Sequence, residues 1–497
     1  ATKLNFTTQP STPNIEGIAL STQPVVTARD VNNNTDLDYT STITLTNSGA
    51  LTMTGNAVAA SSGVVTYTAL TFTSGGTGVT LSTTNPNLLV DGTSNAIDVF
   101  SPEPTIQASG ITFSSVGSTS TTVSWTNGNG ANRIVVAKAG TIAGTPADGT
   151  PYSANSIFGS GDFIAAGEYV VYNGAGTSVT VTNLSPSTVY QYRVFEYNNA
   201  SPDNYLTTTA TDNPKSQTTY ATVPTAASTS MLFSGVTGST TTVSWTNGDG
   251  ANRIVVASLN AIAGTPTDGT DYAASTTFGS GDPIAAGERV VYNGSSNTVA
   301  VTGLSSGTTY HYAVFEYNGA GASADYLLSP LTGNQTSPSS SSDIIVNPSF
   351  TYPTNINYAS NTGSNVTSSN PEVLEFNIRD GGGSTDADAL STTLTAITFS
   401  VTNSSVLEKV ALYDGTTELS EVTAGSSITF SGLTAAAADG GSKTLNLRVT
   451  YKTAVTDNTQ FSFTVTSATA DPAGSTFAAG NAGGATSSTS GDDNRIE

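Results

Sequence analysis

Two stretches of this chain gather oxygen-bearing side chains closely enough to bind a hard cation. The first is Asp30-Val-Asn32-Asn-Asn34-Thr-Asp36-Leu-Asp38, five oxygen donors at alternate positions, the donor type that Ca²⁺ accepts. It is not an EF-hand, because Thr35 stands where that loop needs glycine and Ser41 where it needs glutamate. The second is Asp380-Gly-Gly-Gly-Ser-Thr-Asp386-Ala-Asp388, whose glycines let the backbone curl its carbonyls around an ion beside Asp386 and Asp388. Each stretch has a plainer reading. The first is also a polar turn capped by its own Asn and Asp side chains, and the second a solvated hairpin loop. Asp492 and Asp493 form a smaller acidic pair, and Gly-Ser-Gly-Asp at 159–162 and 279–282 reads as a turn.

Catalytic chemistry finds little material. Gly303-Leu304-Ser305-Ser306-Gly307 matches a nucleophile elbow, but that device needs a strand-to-helix turn and a histidine. The one histidine, His311, corresponds to Gln191 in the sister segment, where the elbow reads Asn183-Leu184-Ser185-Pro186-Ser187. A turn is the better reading. Spacing alone does not rule out a pair of carboxylates for glycoside hydrolysis, but no unique region is large enough for a substrate cleft. The expectation is a chain that is not an enzyme.

The elements that carry these residues are strands. Ser178-Val-Thr-Val-Thr182 and Phe461-Ser-Phe-Thr-Val465 alternate strictly, and the composition is rich in Thr, Val, Ser, Gly and Asn, residues of pleated surfaces and tight turns. The class is all-β. At 497 residues the chain is too long for one core and divides into several domains. With 36 acids against 14 bases and a net charge of −22, it repels nucleic acid and anionic lipid. Cysteine is absent, which allows export without disulfides. No segment has the run of apolar residues that a membrane helix needs.

An internal repeat sets the organisation. Thr-Thr-Val-Ser-Trp-Thr-Asn-Gly at 121–128 returns at 241–248, and Gly-Ala-Asn-Arg-Ile-Val-Val-Ala at 130–137 returns at 250–257. Phe-Gly-Ser-Gly-Asp, Val-Val-Tyr-Asn-Gly and Val-Phe-Glu-Tyr-Asn keep the same offset. Each copy has the pattern of a seven-strand sandwich with an insertion, Gly140–Gly167 and Asn260–Gly287. Trp125 and Trp245 lie on an early strand, and Leu184 and Leu304 precede Tyr190 and Tyr310 by six residues. Counting by twos from Tyr190 turns Glu196 toward the core, beside the strand that Arg133 opens. Glu196 with Arg133, and Glu316 with Arg253, are therefore either buried ion pairs or solvated strand ends.

The Trp followed by Leu-x5-Tyr resembles the fibronectin type III domain, whose tryptophan lies in the core and whose tyrosine hydroxyl bonds nearby backbone. The first hundred residues, with Thr8-Gln-Pro10 and Pro24-Val-Val-Thr27, resemble bacterial immunoglobulin-like modules, with strands at Leu4–Phe6, 25–28, 42–45, 64–72, 79–82 and 97–100. A fourth domain follows a serine-rich linker at 336–342. The expectation is an all-β linear array of four antiparallel β-sandwich domains at 1–100, 101–220, 221–340 and 341–497. Module order, with Ala-Asn-Arg-Ile-Val-Val-Ala and Gly-Asp-Asp-Asn-Arg-Ile, resembles giant surface adhesins of the Bacteroidota exported by the type IX route.

That resemblance implies an extracellular stalk or filament module at the bacterial cell surface. Both ends read as cut from something longer, so the expected partners are neighbouring modules or copies of the chain in a fibre, and a surface glycan or protein. Neither nucleic acid nor membrane insertion is expected. Calcium is the one cofactor the acidic loops suggest. Alternatives are an adhesin tip, for which Tyr152, Phe158, Phe163 and Tyr272 are the suggestive aromatics, and an accessory segment of a secreted enzyme.

Overall fold

The computed structural model describes every residue except 199–201, 384, 385, 387 and 481. The described residues form strands and four short 3₁₀ turns, with no α-helix. They make two compact units, Ala1–Thr222 with Gly319–Ala324, and Val223–Asn318 with Asp325–Glu497.

The first unit opens with a small sandwich around Leu4, Val26, Ile43, Leu45, Tyr67, Phe72, Leu81 and Val99. Lys3–Thr8, Val25–Arg29 and Val64–Thr66 form one sheet, and Leu81–Thr84, Thr42–Asn47 and Ala57–Ala59 another. Two expected strands prove to be pairs. The stretch 64–72 splits into Val64–Thr66 and Thr71–Phe72, and 79–82 straddles the end of Gly76–Val79 and the start of Leu81–Thr84 in a different sheet. Val79 and Leu81 both enter the core, while Thr80 is bonded to Ser48 through its N–H at 2.9 Å and its carbonyl at 3.0 Å. The chain changes sheets there, as sandwich corners do. One pair is parallel, Asn14–Ile15 with Ile97–Phe100.

The two copies fold alike. In the first, Ser109–Ser114, Thr121–Thr126 and Ser178–Val181 face a six-stranded sheet. That sheet runs Phe163–Ala165, Glu168–Gly174, Asn132–Ala139, Val189–Asn198, with Asn204–Tyr205 and Lys215–Thr218 both paired to the last long strand. Seven strands become nine, because the insertion adds Phe163–Ala165 and the final edge comes in two pieces. Trp125 and Trp245 are 5% and 3% exposed and share their cores with Leu184 and Tyr190, and with Leu304 and Tyr310. The tyrosine hydroxyls accept the N–H of Ser185 at 3.0 Å and Ser305 at 2.8 Å. Ser305 therefore sits in a corner, not at a strand-to-helix elbow.

The insertion is no loose loop. It folds over the outer face of the larger sheet, and Ile142 with Tyr152 and Ile164 packs on Ile134, Val136, Phe195 and Tyr205. The sheet is thus buried on both faces, which explains the unbroken apolar run Ile134–Ala137.

In the second unit the last sandwich sets five strands (Asp343–Val346, Glu372–Arg379, Ser442–Tyr451, Leu407–Asp414, Thr417–Thr423) against three (Ser427–Ala437, Thr392–Thr402, Ser462–Ala470). Phe376, Phe399, Phe430 and Phe463 lie between them. The serine-rich stretch before it departs from the expected free linker. Ser337, Ser339 and Ser342 are buried. Ser337 donates its hydroxyl to Ser305 O at 2.5 Å, Ser341 to Asp386 at 2.9 Å, and Ser342 shares a 2.6 Å bond with Thr392.

Candidate functional site

The most heavily bonded polar group in each copy is the Arg–Glu pair. Cross-strand register sets Arg133 opposite Glu196, and Arg253 opposite Glu316. Both pairs are buried, with side chains at most 3% exposed. Arg133 Nε and Nη2 donate to Glu196 at 3.0 and 3.2 Å, while Gly128 N and Gly130 N donate to the same carboxylate at 2.9 and 3.1 Å. The guanidinium also reaches Ala175 O at 2.5 Å and Gly130 O at 3.1 Å. In the second copy Ser228 replaces one backbone donor on Glu316. With every face satisfied, the pair can hold a turn but has no oxygen free to act as an acid or base. Gly128 is required here, since an added Cβ would lie 2.0 Å from Ile106 O.

A second buried carboxylate pins the insertion. Glu168 accepts the N–H of Ala143 and Gly144 and the Lys138 ammonium, all at 2.9 Å. Burial opposes its charge, but these donors outweigh burial and hold the carboxyl below the usual glutamate value. Asp162 caps Ser153 N at 2.7 Å and Asp282 caps Ala273 N at 2.8 Å, so Gly-Ser-Gly-Asp is a turn. Of the aromatics, Tyr152 and Tyr272 pack edge-on against Tyr205 and Tyr326, and Phe158 against Tyr169 and Tyr190. Phe163 alone among them is exposed, at 64%, so the four do not form one aromatic surface.

The acidic loops divide. Asp30 spends its carboxylate on Asn32 N at 2.8 Å, Asn34 N at 2.9 Å and the Asn34 amide at 3.1 Å. Asp36 pairs with the Ala1 ammonium and caps Asp38 N at 3.2 Å. This is the geometry of a self-capped turn, and among the described residues Asp30, Asp36 and Asp38 do not form a carboxylate trio. At the second loop Asp380 and Asp386 do meet, joined by Asp439, their carboxylates within 4.8 Å of one another. Asp388 lies outside that trio and caps Ser339 N, Leu390 N and the Ser475 hydroxyl. Asp380 is fully buried and takes bonds from Thr392 Oγ1 at 2.6 Å, Gly440 N at 2.9 Å and Ser342 Oγ at 3.4 Å. Burial works against the Asp386 charge, but hydrogen bonds from Ser339, Asp388 N and Ser341 hold its carboxyl below the usual aspartate value. Asp439 is some fifty residues from the loop it joins, and nothing in local sequence marks it.

The connections inside each unit are bonded in the same manner. In the first unit, Ser101 donates to Asn198 O at 2.9 Å, Asn204 to Ser101 O at 2.7 Å and Asn198 to Pro102 O at 2.7 Å. Asp325 takes the place of Asn204 in the second copy. Burial, then the Asp268 charge, push its carboxyl up to about 6.

The three-stranded sheet facing a larger one, the core tryptophan and the bonded corner tyrosine decide the fold of the repeat. It is a fibronectin type III-like sandwich. No family model and no curated protein matches the chain. Among solved structures it is similar to a two-domain fibronectin type III segment from chicken tenascin, at 15% identity over 46% of this chain and 99% of that one, with a TM-score of 0.20. It is also similar to the FN1–FN3 domains of chicken CNTN1, at 14% identity over 67% and 98%, with a TM-score of 0.25. Among the described residues no helix is long and apolar enough to cross a membrane.

Proposed function

We propose that the chain is a non-catalytic extracellular module of a large bacterial surface adhesin or filament, of the kind that the Bacteroidota export by the type IX route. One observation carries the reading. Inside each unit, consecutive sandwiches are connected by buried, hydrogen-bonded segments, at Ser101 in the first and at Ser337–Ser342 in the second. A stalk must pass tension from module to module without slack, and serine hydroxyls spent on neighbouring strands remove that slack. The acid excess keeps such a chain soluble, and the two copies, each stapled by a buried ion pair, resist forced opening in the absence of disulfides.

Pulling the whole chain between its ends tests this. The expected trace shows four separate unfolding steps. Each releases roughly 100 residues or more of chain at about 3.5 Å per residue, and the two copies give near-equal steps. A single slow extension without discrete steps would contradict the proposal.

A further inference from the structure

Natural sheets protect their edges by keeping the end strand short, charging it or covering it. The last sandwich uses each device once. Asp343–Val346 is four residues long. Thr417–Thr423 carries Glu418 and Glu421. Ser462–Ala470 is covered, with Val465 N donating to Ala485 O at 2.8 Å and Ser487 N to Phe463 O at 2.9 Å.

The fourth edge has none of these. Ser427–Ala437 is eleven residues long and pairs with Thr392–Thr402 alone. Among the described residues no backbone group of this strand bonds to any other segment. No residue of the three strands in its sheet carries a charge, whereas the opposite sheet holds Glu372, Arg379, Lys409, Glu421 and Arg448. On a chain with a net charge of −22, this is a strip where two copies can meet without setting like charges against each other.

The segment is also its own complement. Gly432, at φ +69°, opens a bulge, with Ser431 opposite Ala396 but Ala435 opposite Leu394, so the regular part of the edge is Ser427–Ser431. Turned antiparallel to itself about Thr429, this segment sets Ser427 against Ser431, Ile428 against Phe430 and Thr429 against Thr429. Ile428 and Phe430 are buried in the core and the other three are exposed. Apolar therefore meets apolar on one face and hydroxyl meets hydroxyl on the other, pairings that favour antiparallel strands. We propose that Ser427–Ser431 pairs with the same segment of a second copy of the chain, joining two three-stranded sheets into one across a twofold axis. A stalk that only carries tension needs no such lateral contact, so this inference stands apart from the mechanical one.

Sedimentation equilibrium of the full chain at about 0.15 M ionic strength, where charges more than about 8 Å apart are screened, tests this. The average mass is expected to rise with concentration toward twice that of one chain. Thr429→Lys and Thr429→Glu each set like charges directly opposite one another at the axis. Each variant alone is expected to stay monomeric with a Tm close to the parent's, because Thr429 is exposed. An equimolar mixture of the two is expected to regain the dimer, with Lys facing Glu. Recovery in the mixture separates charge repulsion from loss of folding. A parent chain that stays monomeric at its highest soluble concentration would overturn the proposal and leave this edge to a strand of another protein. Dimers that persist in either variant alone, or a mixture that stays monomeric, would overturn it as well.

Discussion

Replacing Arg133 with methionine is expected to cost the first copy about 3–5 kcal/mol, because it leaves the Glu196 carboxylate buried without a cation. Gly128 N and Gly130 N would still donate to that carboxylate, but neither carries a full charge. Arg253→Met is expected to act alike on the second copy, where Gly248 N and the Ser228 hydroxyl would still donate to Glu316. Calorimetry of the full chain should show one transition moving down for each variant while the others stay in place. A double variant, Arg133→Met with Glu196→Leu, is expected to recover only part of the loss, since it strands the two glycine N–H groups. A single variant within about 0.5 kcal/mol of the parent would show that the pair is not the buried staple described above.

The second large effect lies at Asp380. Asp380→Ala removes the acceptor for Thr392 Oγ1 and Gly440 N and the weaker one for Ser342 Oγ. Leaving buried donors unpaired is expected to cost the last sandwich about 2–4 kcal/mol, or roughly 5–10 °C in Tm. Asp380→Asn, which keeps one acceptor, should lose less. Calcium added to saturation tests the ion suggested by the acidic pattern. A Tm rise lost in Asp439→Asn places calcium among Asp380, Asp386 and Asp439, whereas an unchanged Tm leaves hydrogen bonding as their role.

The fold was largely legible in the sequence because its strongest signals are periodic or local. Trp125, with the six-residue step from Leu184 to Tyr190, marks a core and a corner. The count by twos from Tyr190 turns Glu196 inward, and the structure shows it bonded to Arg133. The features that escaped are long-range. Ile142 and Tyr152 are scattered in a polar stretch, so the insertion reads as an overlong connection. Its signal was the unbroken run Ile134–Ala137, which a sheet open to water on one face would not carry. Ser337–Ser342 has the composition of a linker, and only strands far along the chain supply the partners that bury it. Asp439 joins Asp380 through the fold alone, and the alternation through Val79–Leu81 conceals a change of sheet because both residues face one core.

The central claim is that connections within a unit are fixed, and hydrogen exchange at Ser337, Ser339 and Ser342 tests it most directly. Their N–H groups donate to Thr308 O, to the Asp388 carboxylate and to Thr476 O. The account predicts protection at all three comparable to that of the neighbouring strands Thr309–Asn318 and Thr392–Thr402. It further predicts that Asp380→Ala lowers the protection at Ser342 first. Exchange of these three amides at the rate of an unstructured serine-rich peptide, while the flanking strands stay protected, would mean a free linker and contradict the account.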